Sequence, residues 1–126
     1  MIKREFSKLE WKKRFVYLKS VVFDEENLGQ KGAKFQIVKF PSGSRIGPHY
    51  HKKIREVFFV KSGKGTFIFN GEASKAKEGD VFLCEPNDVH EVINNSTEEF
   101  VFLIFKTNEM EGDIFWVNDE DKKFKS

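Results

Sequence analysis

Eight short runs of β-branched and aromatic residues, separated by clusters of Gly, Asn and Ser, set the limits on what this chain can fold into. The runs are Phe15–Leu18, Val21–Phe23, Phe35–Phe40, Val57–Val60, Thr66–Phe69, Val81–Leu83, Val89–Ile93 and Phe100–Phe105. Between them lie Gly29-Gln30-Lys31-Gly32, Pro41-Ser42-Gly43-Ser44, Asn70-Gly71, Glu78-Gly79-Asp80 and Asn94-Asn95-Ser96. Short strands punctuated this way predict an all-β sandwich or barrel. Asn70-Gly71 is the sharpest local signal, because both central residues of a type I′ hairpin need positive φ. It predicts a hairpin joining the strand that ends at Phe69 to one beginning near Ala73. Helical periodicity is weak, which leaves helix a minor place at the two ends.

Val57–Val60 and Phe100–Phe105 are apolar on both faces, whereas a strand with one wet face alternates. One face then turns into the barrel, and the other needs a second sheet or a second subunit. This predicts a homodimer. Fifteen of the 19 aromatic residues are Phe, ample for an apolar interior. A net charge of +2 is too small to argue for nucleic acid or a membrane surface as partner. The first 20 residues carry seven basic groups against two acidic ones, read here as a solvated edge strand. The six residues Phe100–Phe105 are far too few to span a bilayer, and no secretory h-region follows Met1. With Cys84 as the single cysteine, an internal disulfide is excluded and nothing points to an oxidising compartment. The expectation is a cytoplasmic chain with one domain over residues 1–126.

The three histidines are not scattered. His49 and His51 are two apart in an extended segment, so both imidazoles leave the same face. Glu56 opens the next strand, and His90 follows the turn Pro86-Asn87-Asp88. A His-x-His pair alone is a weak signal; three imidazoles with a carboxylate form a mixed N/O set suited to Fe, Mn, Ni or Zn. Strand parity with Glu56 sends Phe58 and Val60 inward and Val57 and Phe59 outward, and Val92 shares the interior with His90. Tyr50 falls on the opposite face from the histidines. Arg45, Arg55, Lys52, Lys53 and Glu85 read as surface residues, Cys84 as a small buried hydrophobe, and Gly63-Lys64-Gly65-Thr66 as a turn. With every histidine occupied, neither a thiol nor a Ser-His-Asp mechanism has a base.

The spacing from Gly43 through His49, His51 and Glu56 to Gly63 resembles the first motif of the cupin superfamily, G(X)5HXH(X)3–4E(X)6G, at every defined position. The second motif, G(X)5PXG(X)2H(X)3N, aligns with Gly79, Pro86, His90 and Asn94. Glu85 stands where that motif has its Pro, which this chain places one residue later as Pro86, and Asn87 stands where it has Gly, a position whose positive φ Asn tolerates. Residues 43–63 and 79–94 thus carry the resemblance. It implies a double-stranded β-helix, or jelly-roll barrel, with His49, His51, Glu56 and His90 binding one divalent metal inside. It further implies either a metal-dependent enzyme acting on a small molecule, of dioxygenase, decarboxylase or sugar isomerase and epimerase type, or a non-catalytic module that binds or senses a small ligand.

Overall fold

Period-two alternation of burial is clear in Arg55–Ser62, Lys64–Phe69 and His90–Ile93 of the computed structural model, which describes residues 1–124. The strands are β1 (Lys12–Lys13), β2 (Leu18–Phe23), β3 (Lys34–Phe40), β4 (Arg45–Tyr50), β5 (Arg55–Ser62), β6 (Lys64–Phe69), β7 (Glu72–Lys77), β8 (Val81–Cys84), β9 (His90–Ile93), β10 (Phe100–Thr107) and β11 (Phe115–Trp116). They form two antiparallel sheets, ordered β1-β2-β3-β10-β5-β8 and β11-β4-β9-β6-β7. The inner faces meet in one core: Val38, Phe40, Phe58, Val60, Phe102 and Ile104 from the first sheet pack with Ile46, Phe67 and Val92 from the second. This is the double-stranded β-helix that the motifs imply. Phe67 is fully buried and meets Phe102 edge to face at 5.4 Å between ring centroids. An aromatic ring buried this completely contributes about 2–3 kcal/mol through removal from water.

The turns follow their sequence signals. Asn70 and Gly71 have φ of 51° and 83°, and the hairpin pairs Phe69 with Glu72. Asn87 takes φ 73° where the family motif has Gly. Gly63 alone makes the tight turn after β5, so the expected four-residue turn shrinks and Lys64–Thr66 belong to β6. The runs Phe15–Leu18 and Val21–Phe23 are also corrected. Leu18–Phe23 is one strand, and Arg14–Tyr17 is the turn that closes it against β1, with the Arg14 N–H donating to the Tyr17 carbonyl at 2.7 Å.

Helix is minor, as expected, with 3-10 turns at Phe6–Lys8 and Asp119–Phe124 near the ends. One short helix, α1 (Glu25–Leu28), was not anticipated. Asp24 and Asn27 form its capping box and Gly29 closes it in the left-handed region.

The outer face of β10 corrects the argument for a covering subunit. Val22, Ile37 and Val101 form a second apolar cluster there, packed by Leu9 and Trp11 of the chain's own N-terminal segment. Farther along the same face Phe59, Val81, Leu83 and Phe105 remain exposed. Among the described residues no helix is long and apolar enough to cross a membrane.

Candidate metal centre

The strands gather the site from both sheets. A register shift between Ile46 and His49 brings His49 directly opposite His90 on β9. Glu56, near the start of β5, lies across the barrel between Lys106 on β10 and Cys84 on β8. His51 follows β4. All four predicted side chains are buried, and they converge. The ring centroids of His49, His51 and His90 lie 4.2–5.5 Å apart. Ligand atoms of the three histidines lie within 4.8 Å of one another, a spacing at which they could hold one ion.

Each imidazole is oriented by the main chain. His49 Nδ1 lies 2.8 Å from the Gly47 carbonyl, His51 Nδ1 2.6 Å from that of Asp113, and His90 Nδ1 3.0 Å from that of Asp88. A carbonyl only accepts, so each Nδ1 carries the proton and each Nε2 offers a lone pair. The Asp113 carboxylate in turn accepts the backbone N–H groups of Lys52, Lys53 and Ile54 at 2.8–3.0 Å, pinning the loop that carries His51.

Neutral imidazoles in this tautomer suit a cation. Among the described residues Glu56 Oε1 is buried without a hydrogen-bond partner, 3.1 Å from His51 Nε2 and 3.3 Å from His90 Nε2. Acceptors facing acceptors at such distances need a proton or a metal ion among them. Burial alone would favour the neutral form of Glu56. When protons rather than an ion fill those contacts, hydrogen bonds from His51 and His90, together with the Lys106 ammonium 3.8 Å away, outweigh it and hold the carboxyl well below its usual range. Burial likewise opposes a charge on His51, but the Glu56 carboxylate overcomes it and raises the imidazole's pKa. His49, buried and repelled by His90, is pushed down to about 3 and stays neutral. The donor set and the orphaned oxygen therefore fit a divalent cation.

The site faces a chamber of about 50 Å³, lined by Tyr17, Gln36, Phe58, Ile104, Lys106 and Trp116 beside the four polar residues. His51, Lys106 and Trp116 also border a wider vestibule of about 600 Å³. Phe58, Val60 and Val92 point inward, while Phe59 is 42% exposed, as parity predicts. Tyr50 turns away and stacks on Phe115. Glu85, Arg55, Lys52 and Lys53 are exposed. Arg45 is half exposed, its guanidinium 3.5 Å from Asp121 and 3.9 Å from Glu91. Cys84 is buried as expected, and its Sγ lies 3.4 Å from His90 Nδ1, with burial raising the thiol pKa. Sequence reasoning missed Gln36 and Lys106, although parity from Ile104 reaches Lys106. Tyr17, Trp116 and Asp113 arrive through long-range packing and leave no local signal.

Comparison with known proteins agrees with this architecture. The cupin-domain family model matches residues 36–106. An oxalate-binding protein of Thermotoga maritima is 29% identical over 82 residues, 65% of this chain and 68% of its own. A solved structure described as a predicted oxalate decarboxylase, also from Thermotoga maritima, superposes with a TM-score of 0.77 at 24% identity, covering 85% of this chain and 98% of that one. The polyketide cyclase RemF of Streptomyces resistomycificus superposes with a TM-score of 0.80 at 12% identity, covering 98% and 99%.

Proposed function

This chain belongs to the cupin family, and from that premise we propose that it is a metal-dependent enzyme acting on a small organic molecule, with His49, His51, Glu56 and His90 holding one divalent ion, Fe, Mn, Ni or Zn. The observation that carries this reading is the buried Oε1 of Glu56, without a hydrogen bond among the described residues and 3.1–3.3 Å from the inward-facing Nε2 atoms of His51 and His90. When bound, such an ion supplies Lewis-acid polarisation of a coordinated oxygen donor. The chain's own groups do the rest. Main-chain carbonyls fix the three imidazoles, while Phe58, Ile104 and Trp116 give the chamber an apolar wall. Gln36 Oε1, buried and without a hydrogen-bond partner among the described residues, can accept a hydrogen bond from a substrate hydroxyl. The chamber's size favours a small oxyacid or sugar-like fragment, and two relatives carry oxalate in their names.

The name of the oxalate-binding relative also favours a second reading, metal-anchored binding of a small acid without turnover. One experiment separates the two. Protein purified without added metal is analysed for metal content, then supplied with Fe(II), Mn(II), Ni(II) or Zn(II) and assayed for oxygen consumption and for turnover of small acids and sugar phosphates. We expect one equivalent of ion per chain, lost in His51→Ala and His90→Ala. The ion at a hundred times its Kd should stabilise the fold by about 2.7 kcal/mol. Tight ligand binding without turnover would favour the binding module; a folded sample that takes up no ion overturns both readings.

A further inference from the structure

Outside the metal chamber, the vestibule gathers four cationic side chains, Arg14, Lys19, Lys34 and Lys106, around one opening. Their origins differ. Lys34 and Lys106 stand opposite each other on β3 and β10, whereas Arg14 and Lys19 come from the β1–β2 turn and from β2. Two of the four are neutralised. Lys34 is ion-paired with Glu109, and Lys106 lies between Glu56, at 3.8 Å, and Glu109, at 3.6 Å. Asp113, also on this wall, spends its carboxylate on three backbone N–H groups, and Glu111 sits at the exposed rim.

Arg14 and Lys19 are left over. Among the described residues neither has a carboxylate within ion-pair distance. Lys19 is only 7% exposed, and Arg14 Nε is buried with no hydrogen-bond partner. A buried cation and an orphaned donor side by side are costly unless something anionic answers them. Burial, with Lys106, Arg14 and Lys34 nearby, pushes the Lys19 pKa down to about 8, the environment that an incoming anion would relieve.

We infer that Arg14 and Lys19 form an anion subsite at the mouth of the chamber, so that the molecule bound here carries two recognition groups: an oxygen donor that reaches the metal centre and a carboxylate or phosphate held in the vestibule. This inference rests on the proposed metal site and names the substrate class for it. His51, Lys106 and Trp116 border both spaces, so one small molecule can occupy the two together.

The test compares ligands that differ only at the distal end. Calorimetric titration of Mn(II)-loaded protein with lactate, 3-phosphoglycerate and malate, which share one α-hydroxy-carboxylate head, should show at least tenfold tighter binding of one of the two molecules with a distal anion than of lactate. Whichever gains more identifies phosphate or carboxylate as the natural partner. Lys19→Met and Arg14→Gln should each reduce that preference about tenfold, with Mn(II) affinity and cooperative folding kept, Lys19→Met at raised stability because its buried charge is gone, and Lys19→Arg restoring much of the preference. Inorganic phosphate titrated into the metal-free protein probes the vestibule alone and should bind more weakly to both variants. Equal binding of all three ligands, or a preference that survives in both folded variants, overturns the subsite. Failure of Mn(II) to bind while phosphate binding stays sensitive to Lys19 and Arg14 would instead overturn the metal reading and leave the subsite standing.

Discussion

At the scale of single residues, the chain's chemistry lies in polar groups that the barrel buries in places where burial is unfavourable. Lys19 is the clearest case. Its ammonium titrates near 8 in the folded protein and near 10.5 when unfolded, with Lys106, Arg14, Lys34 and Glu109 as its charged neighbours. Between those values the unfolded chain binds more protons, so stability rises with pH. The penalty of burying the charge is fully present below pH 8 and relieved by about 10.5. Urea unfolding at pH 7.5 and 9.5 should therefore show a gain for the native protein that shrinks in Lys19→Met; equal slopes in the two proteins would contradict it. At this scale the sequence announced the four converging side chains, because i, i+2 spacing and motif distances are local properties. It hid Arg14 and Lys19. They sit in a basic segment that reads as solvated, and Lys12 and Lys13 of that segment are indeed exposed on an edge strand. Which lysines of a run turn inward depends on the turn at Arg14–Tyr17, whose geometry is set by packing against the core.

At the scale of elements, turns position the strands that carry the site. Gly63, between β5 and β6, has φ 76°, and a Cβ there would lie 2.2 Å from the Glu99 carbonyl oxygen. Gly63→Ala thus combines a strained backbone with a collision against main chain, at a cost of about 3 kcal/mol. Chemical denaturation should show that loss with and without added metal, since the turn is at the opposite end of β5 from Glu56; a loss below 1 kcal/mol would mean that the loop at Glu99 yields. Glycine and asparagine signals were legible because positive φ is a property of the residue itself. The merging of two apolar runs into β2, and the helix at Glu25–Leu28, were not. Strand continuity depends on a partner strand, and a four-residue helix rests on its caps.

At the scale of the whole molecule, the outer face of the six-stranded sheet divides into a half covered by the N-terminal segment and a half left bare. The bare half is continuous: Val57 pairs with Leu83 and Phe59 with Val81 in register, and β8 is the sheet's edge strand. A second copy related by a two-fold axis can cover this patch while pairing the two edges, which closes the assembly. We expect sedimentation of the native chain as a dimer and of Leu83→Asp as a monomer with metal uptake intact. A native monomer at tens of micromolar would remove the homodimer from the account.

The anchoring of the three imidazoles by Gly47, Asp88 and Asp113 carbonyls has its own evolutionary reading. Peptide oxygens survive every point mutation, so the ring orientations are inherited with the backbone trace. Drift can remodel the walls and mouth around the rings, and with them the choice of guest, while the inner nitrogens keep their aim.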